Sequence, residues 1–336
     1  MPKSIDQAIS FLETQWSSIN ENKIKGIVSE VRFQKLLYDR GLHYIPGGWI
    51  LEPGKNTEAE IPALRKICLI PKEWRFSWQA SDQSNRNANP TPAEISAYNY
   101  FRDVGVTTYI LLPKDIREDA FELPVPKKLS PTDRAIYPRS YKLDFNTINP
   151  RGHLESVPFA KVMEFFPKRT GNMGLRIYAN EIDRDRFPWT DADVVASLFW
   201  FEYARYYCSI TNLVSNNDLD LFLVGNSGAV YPIELKSKTP AEDRSLGEWF
   251  GLDVGPFLKM TFFTTKSINK DALYIVEEVD EDREHVEWYA IRFTHLVKCC
   301  SWVQQGGGTN MRGGSSYTVR IPKAAFTKFD DLIVSL

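Results

Sequence analysis

Cysteine is scarce in this chain of 336 residues: Cys68, Cys208, Cys299 and Cys300 are all there are, none in C-x-x-C spacing and none grouped with the four scattered histidines. That argues against zinc frameworks and against a disulfide-built scaffold, and makes a reducing cytoplasm the expected setting. The first residues, Met1-Pro2-Lys3-Ser4-Ile5-Asp6, lack the apolar core of a signal peptide, and no run nears the roughly 18 apolar residues of a membrane helix. Net charge is nearly absent too, at −2, so bulk charge does not announce a polyanionic partner. A glycine-rich stretch at 304–316 has no Gly-Lys-Ser/Thr ending, which excludes a Walker phosphate loop.

What is present is ample apolar material, 43% of the chain, enough for two domains or one large elaborated one. The charges are unevenly spread. Residues 125–176 hold ten Lys or Arg against four acids, 292–328 hold six basic residues and no acid, and 271–288 hold eight acids against Arg283 alone. Such segregation either builds a phosphate-binding surface without a basic whole protein or reflects solvated loops and strand edges.

Periodicity predicts amphipathic helices at 5–16 and 23–42, a Pro-Gly-Gly turn within 43–51, and strand material at 66–78 broken at Pro71. Residues 79–88 are polar, and Arg86 there either reads base edges or is merely solvated. Thr91 as cap, Pro92 in the first turn and Gly105 at the end mark a helix, with a strand at 107–112 after it. The proline-rich stretch 113–158 reads as connecting or arm-like, with a short strand at 141–145; 159–166 and 174–179 read as strand or short helix. Lys127, Arg139 and Lys168 make this basic part a candidate for embracing DNA phosphates.

From Thr190 the pattern changes. Thr190-Asp191-Ala192-Asp193 is a capping signature before an apolar helix at 194–210. Glu202 within it is either drawn to a metal or paired with Arg205 three residues on. A helix at 246–265 and strands at 272–279, 286–293 and 317–321 follow. Asn310 and Arg312, in the glycine-rich stretch, either enter a DNA groove or belong to a floppy surface loop.

The most informative stretch is 217–238, where acids and lysines stand against two apolar runs, 221–224 and 229–235, joined through Gly225-Asn226-Ser227-Gly228. The runs are too short for helices and read as a hairpin. A three-residue loop, 226–228, puts Gly228 at the left-handed position such loops favour. In that register Asp220 lies opposite Glu234, and Asp218 opposite Lys236. Two facing carboxylates about 5 Å apart at Cβ repel unless a cation joins them, and Mg²⁺ is commonly held by one or two carboxylates and water. Lys236, on the face of Glu234, is placed to orient a metal-bound water and to offset charge on a phosphate, which suits phosphodiester hydrolysis.

Asp220, a hairpin, then Glu234-Leu235-Lys236 resembles the PD-(D/E)xK nuclease superfamily, which includes many type II restriction endonucleases. The resemblance covers about 20 residues closely and, in the order of elements, residues 190–300. It implies Asp220, Glu234 and Lys236 as catalytic residues, with Mg²⁺ held by Asp220, Glu234, the Leu235 carbonyl and Glu202. Leu219 stands where the family often has proline, so Asp218 stays a rival for the first position. The expected fold is mixed α/β: a restriction-endonuclease-like core with a central mixed sheet flanked by helices, spanning 186–336, after an α+β region at 1–185 that reads DNA. The implied partners are double-stranded DNA, a second copy of the chain in a homodimer, and a methyltransferase acting on the same site; Lys238 joins the expected DNA contacts. The rival expectations are a repair or junction-resolving nuclease, and a DNA-binding scaffold without catalysis.

Overall fold

A computed structural model describes residues 21–53, 66–72, 90–114, 144–149, 155–168, 208, 212, 214–265, 271–306 and 317–336. It is mixed α/β, and by its contacts the chain divides into two units: Met1–Gly41 with Ile45–Leu219, and Leu42–Tyr44 with Asp220–Leu336. The expected boundary after residue 185 lies outside the described residues. Among the described residues no helix is long and apolar enough to cross a membrane, and all four cysteines are free thiols.

In the first unit, α1 (Glu21–Asp39) buries Ile27, Val31, Gln34 and Leu37, a stripe at helical spacing, and the chain turns out of it at Gly41, whose φ of 66° suits only glycine well. The chain then crosses to the second unit for β1 (His43–Ile45) and returns with β2 (Gly48–Pro53) and β3 (Ile67–Pro71). Then α2 (Pro92–Asp103) opens with the expected cap: Thr91 Oγ1 accepts from the Glu94 N–H, and Glu94 accepts from the Thr91 N–H in return. Glu94 also pairs with the buried Lys72, which meets the cost of burying either charge alone. Next come β4 (Thr107–Lys114), β5 (Asp144–Asn149), β6 (Glu155–Pro158), the short helix α3 (Phe159–Met163) and β7 (Val214–Leu219). Of the strand expected at 141–145, Asp144 and Phe145 lie in β5, and 141–143 lie outside the described residues. Six strands form one mixed sheet in the order β6-β5-β4-β3-β2-β7, with β3 and β4 parallel.

The second unit contains β8 (Leu221–Val224), β9 (Val230–Lys238), β10 (Ala241–Asp243), β11 (Gly247–Asp253), α4 (Val254–Thr265), β12 (Leu273–Val279), β13 (His285–Arg292), α5 (Phe293–Cys299), β14 (Ser301–Gly306), β15 (Tyr317–Pro322), β16 (Thr327–Lys328) and α6 (Phe329–Ile333). Its main sheet runs β1-β8-β9-β12-β13-β16, and a smaller one runs β10-β11-β15-β14. Strands β9 and β12 are parallel, whereas β8–β9 and β12–β13 are antiparallel. Pro232 is tolerated in a central strand because β12 begins opposite Ile233, one residue later, so no bond to β12 is lost.

The helix expected over 246–265 is correct only in its second half. Gly247–Asp253 is strand β11, and the helix starts at Val254. Pro256 explains the limit, since proline fits a first helical turn but breaks an interior. Between the two sheets lies a core of Phe250, Leu252, Met260, Tyr274, Val276, Ile291, Phe293, Leu296, Ile321 and Phe326.

Gly251 is required by a close approach: a Cβ there would sit 2.5 Å from Thr318 Cγ2 on the paired strand β15. Gly251→Ala should therefore spread β11 from β15 and cost about 1–3 kcal/mol. A melting temperature equal to that of the wild type would show that Thr318 can rotate away.

Candidate functional site

The hairpin adopts the expected loop and register. Gly225 N–H donates to the Ala229 carbonyl, leaving a three-residue loop in which Gly228 has φ 78°. Leu221 pairs with Ile233 and Val224 with Val230, so continuing the register one step sets Asp220 opposite Glu234. The ladder stops at Leu221, and the Leu235 N–H, next in line, is taken instead by Asp220 Oδ2 at 2.8 Å. The N–H and C=O of one strand residue point to the same edge, so the Leu235 carbonyl is directed to the side of Asp220.

Asp218 departs from the expected position. It lies on β7, paired with Trp49 of β2 in the sheet of the first unit, and not across from Lys236. Alternation runs on through Asp218-Leu219-Asp220-Leu221, but the strand pairing changes across Asp220, from β2 at Leu219 to β9 at Leu221. Asp220 is the residue that faces Glu234.

Glu234 is buried, its side chain only 5% exposed, yet carries both oxygens on charged partners. Lys236 Nζ lies 2.6 Å from Oε1, and Lys259 Nζ lies 3.3 Å from Oε2. Lys259 comes from α4, where Pro256, Lys259, Met260 and Phe263 share one helical face and Met260 and Phe263 are buried. Sequence reasoning passed over Lys259. The available signal was a lone charge in Val-Gly-Pro-Phe-Leu-Lys-Met-Thr-Phe-Phe, where an isolated lysine needs a carboxylate within reach.

The electrostatics separate the two acids. Burial and the charge of Glu234 push the Asp220 carboxyl up to about 6, against the two lysines and the Leu235 N–H. Burial works in the same direction on Glu234, but the charges and hydrogen bonds of Lys236 and Lys259 outweigh it and hold that carboxyl below its ordinary value. For Lys236, burial favours the neutral amine, and Glu234 with Asp220 overcomes it, so the ammonium persists above the usual lysine range. Tyr274, opposite Glu234 on β12, is kept a neutral phenol by burial and donates to the Gly251 carbonyl at 2.7 Å.

Lys238 shares the face of Glu234 and Lys236 at spacing two. Burial pushes its ammonium down, Asp253 opposes this, and Lys236 and Arg283 add to it. Arg283 stands at φ 69°, uncommon for a branched-chain-free but bulky residue, and donates to the Ser237 carbonyl at 3.3 Å and Oγ at 3.0 Å, anchoring the end of β9. Lys168 is exposed and forms an isolated bridge with Asn212 in the first unit. Arg86, Lys127, Arg139, Glu202, Asn310 and Arg312 lie outside the described residues.

Two carboxylates and a backbone carbonyl directed to their side form an all-oxygen donor set that fits a hard divalent cation such as Mg²⁺. Among the described residues, no three His, Cys, Asp or Glu side chains gather into a larger metal cluster. In comparisons with known proteins, the chain matches no family model, no curated protein and no solved structure.

Proposed function

We propose that the chain is a Mg²⁺-dependent endonuclease that hydrolyses phosphodiester bonds of double-stranded DNA at a specific sequence, on a restriction-endonuclease-like core. The observation that carries the reading is Asp220 held on the Leu235 N–H within electrostatic reach of Glu234, with Lys236 bound to Glu234 at 2.6 Å. Two acids and a lysine joined through strand register are what the PD-(D/E)xK resemblance requires, and the resemblance rested on sequence spacing alone.

In this reading Asp220, Glu234 and the Leu235 carbonyl would hold Mg²⁺, which supplies Lewis-acid stabilisation of the phosphoryl oxygens and a more acidic water. Glu234 positions Lys236 through the 2.6 Å contact. Lys236 keeps its proton and hydrogen-bonds the attacking water and a phosphoryl oxygen, offsetting the charge that builds there. Tyr274 and the apolar core behind Glu234 exclude water from the inner side of the site, which strengthens each of these interactions. Lys238, next along the same face, contacts the flanking backbone. The enzyme would act in the cytoplasm as a homodimer, one site per strand, with a methyltransferase protecting the host copies of the site.

Digestion of a genomic DNA library with Mg²⁺, followed by sequencing of the fragment ends, tests the proposal. Discrete fragments sharing one short sequence are expected. Nicking confined to junctions or flaps would replace it with the repair reading, and binding without cutting would leave only a scaffold.

A further inference from the structure

Helix α4 (Val254–Thr265) carries one charged residue, Lys259, and that side chain turns inward to Glu234. Met260 and Phe263 are buried on the same side. The opposite side is a stripe of Val254, Leu258, Thr261 and Thr265, spaced four, three and four residues apart, which is the spacing of a helix-to-helix seam. Leu258 is 61% exposed and Thr265 is exposed, whereas Val254 and Thr261 are half-buried. Phe262 lies on the flank of the stripe, its ring edge-to-face on Phe263 at 5.3 Å, and is not part of it. A surface helix ordinarily turns charged residues outward, and this one turns out none.

The two threonines are less polar here than elsewhere on a surface. Thr261 Oγ1 donates to the Phe257 carbonyl at 2.9 Å and Thr265 Oγ1 to the Thr261 carbonyl at 2.8 Å, so both hydroxyl protons are held within the helix and the methyl groups remain for contact. The stripe also has a direction. Its larger side chains, Val254 and Leu258, occupy the amino-terminal half and the threonines the carboxy-terminal half. A second α4 laid antiparallel, about a two-fold axis midway along the stripe, sets Leu258 against Thr261 and Val254 against Thr265, large against small at each contact. A stripe without charge does not repel its own copy, and it offers no cation to a polyanion.

We propose that this outer face of α4 is where a second copy of the chain docks, helix against helix and antiparallel. The inference goes beyond the nuclease reading, whose homodimer it gives a surface, and it stands on α4 alone, with no need of DNA or metal. One seam on a helix about 18 Å long is small beside the roughly 800 Å² per partner of a stable interface. The dimer is therefore weak, with a Kd of about 10 μM.

Sedimentation velocity of the full chain between about 1 and 100 μM, in chelator and without DNA, tests it. Wild type should pass from monomer to dimer across that range. Leu258→Lys should stay monomeric, its association weakened about 100-fold because the two-fold places the substitution in both copies. Leu258→Lys mixed with Leu258→Glu should regain the dimer, since the opposite charges then meet across the axis. Thermal melts at about 1 μM, where the wild type is monomeric, should be equal for wild type and Leu258→Lys, the position being exposed. A wild type monomeric at about 100 μM, a Leu258→Lys dimer as strong as that of the wild type, or a mixture that stays monomeric overturns the proposal. So does a lower melting temperature for Leu258→Lys, which would mean that another segment of the same chain covers the stripe. None of these outcomes decides the nuclease reading, which rests on cleavage.

Discussion

Asp220→Asn should lower cleavage by about 10³-fold and at the same time make the protein prepared without divalent metal more stable at pH 8. On the proposed function, loss of activity follows from removing one of the two carboxylates that would hold Mg²⁺. Gain of stability follows from the environment of Asp220, where burial and the facing Glu234 charge raise the carboxyl from 3.8 to about 6. A group whose pKa is raised on folding contributes stability below its unfolded value and loses that contribution as pH rises through the folded value. The wild type should therefore lose this contribution between about pH 4 and pH 6, whereas an asparagine, which still accepts the Leu235 N–H, does not titrate. The advantage of the variant should be absent near pH 4 and reach about 1–2 kcal/mol above pH 7, allowing for solvent screening of a partly exposed group. Thermal melts of both proteins across that range, in chelator, give the difference directly. A variant less stable than the wild type at pH 8 would mean that Asp220 is held by a cation-like partner in the free protein.

Glu234→Gln should move stability the other way. Glu234 is the carboxylate on which Lys236 and Lys259 converge, at 2.6 and 3.3 Å, and its pKa is held down by them once the opposing effect of burial is overcome. Removing its charge takes from both ammonium groups the carboxylate on which they converge beside a buried strand, a loss of about 2–4 kcal/mol by comparison with other broken buried pairs. The sign with pH is also reversed: a depressed carboxyl contributes stability above its unfolded value and loses it as pH falls through the folded one. The deficit of the variant should be full at pH 7 and shrink on acidification below the ordinary glutamate range. Denaturant titration at pH 7 and at low pH, without divalent metal, checks both the size and the trend. Equal stability of variant and wild type at pH 7 would show that the lysine contacts are too solvated to matter.

The opposite signs expected for two acids that face each other arise from register and could be read from the chain, because the loop glycine and the alternation of the hairpin together allow one consistent pairing. Gly228 needs the left-handed position, and once the loop is three residues long Asp220 must meet Glu234. Asp218 was not legible for a related reason: period-two alternation says which side a residue faces within a strand, but not which strand lies beside it. The change from pairing with β2 at Leu219 to pairing with β9 at Leu221 leaves no mark in the pattern. Lys259 was hidden by its distance along the chain from Glu234, and because half of its segment resembled one long helix until Pro256 set the start of α4. The capped helix at Pro92–Asp103, by contrast, carries its own start and stop signals, and those were sufficient.

The most direct measurement is cleavage of a pooled plasmid library by wild type and Asp220→Asn, side by side, with Mg²⁺ or with chelator, and with DNA binding in Ca²⁺ measured on the same preparations. Wild type should cut with Mg²⁺ alone, and Asp220→Asn should bind DNA as well as the wild type yet leave it intact. Cleavage by Asp220→Asn at the wild-type rate, or cutting by the wild type that persists undiminished in chelator, would contradict the assignment of this hairpin as a metal-dependent nuclease site.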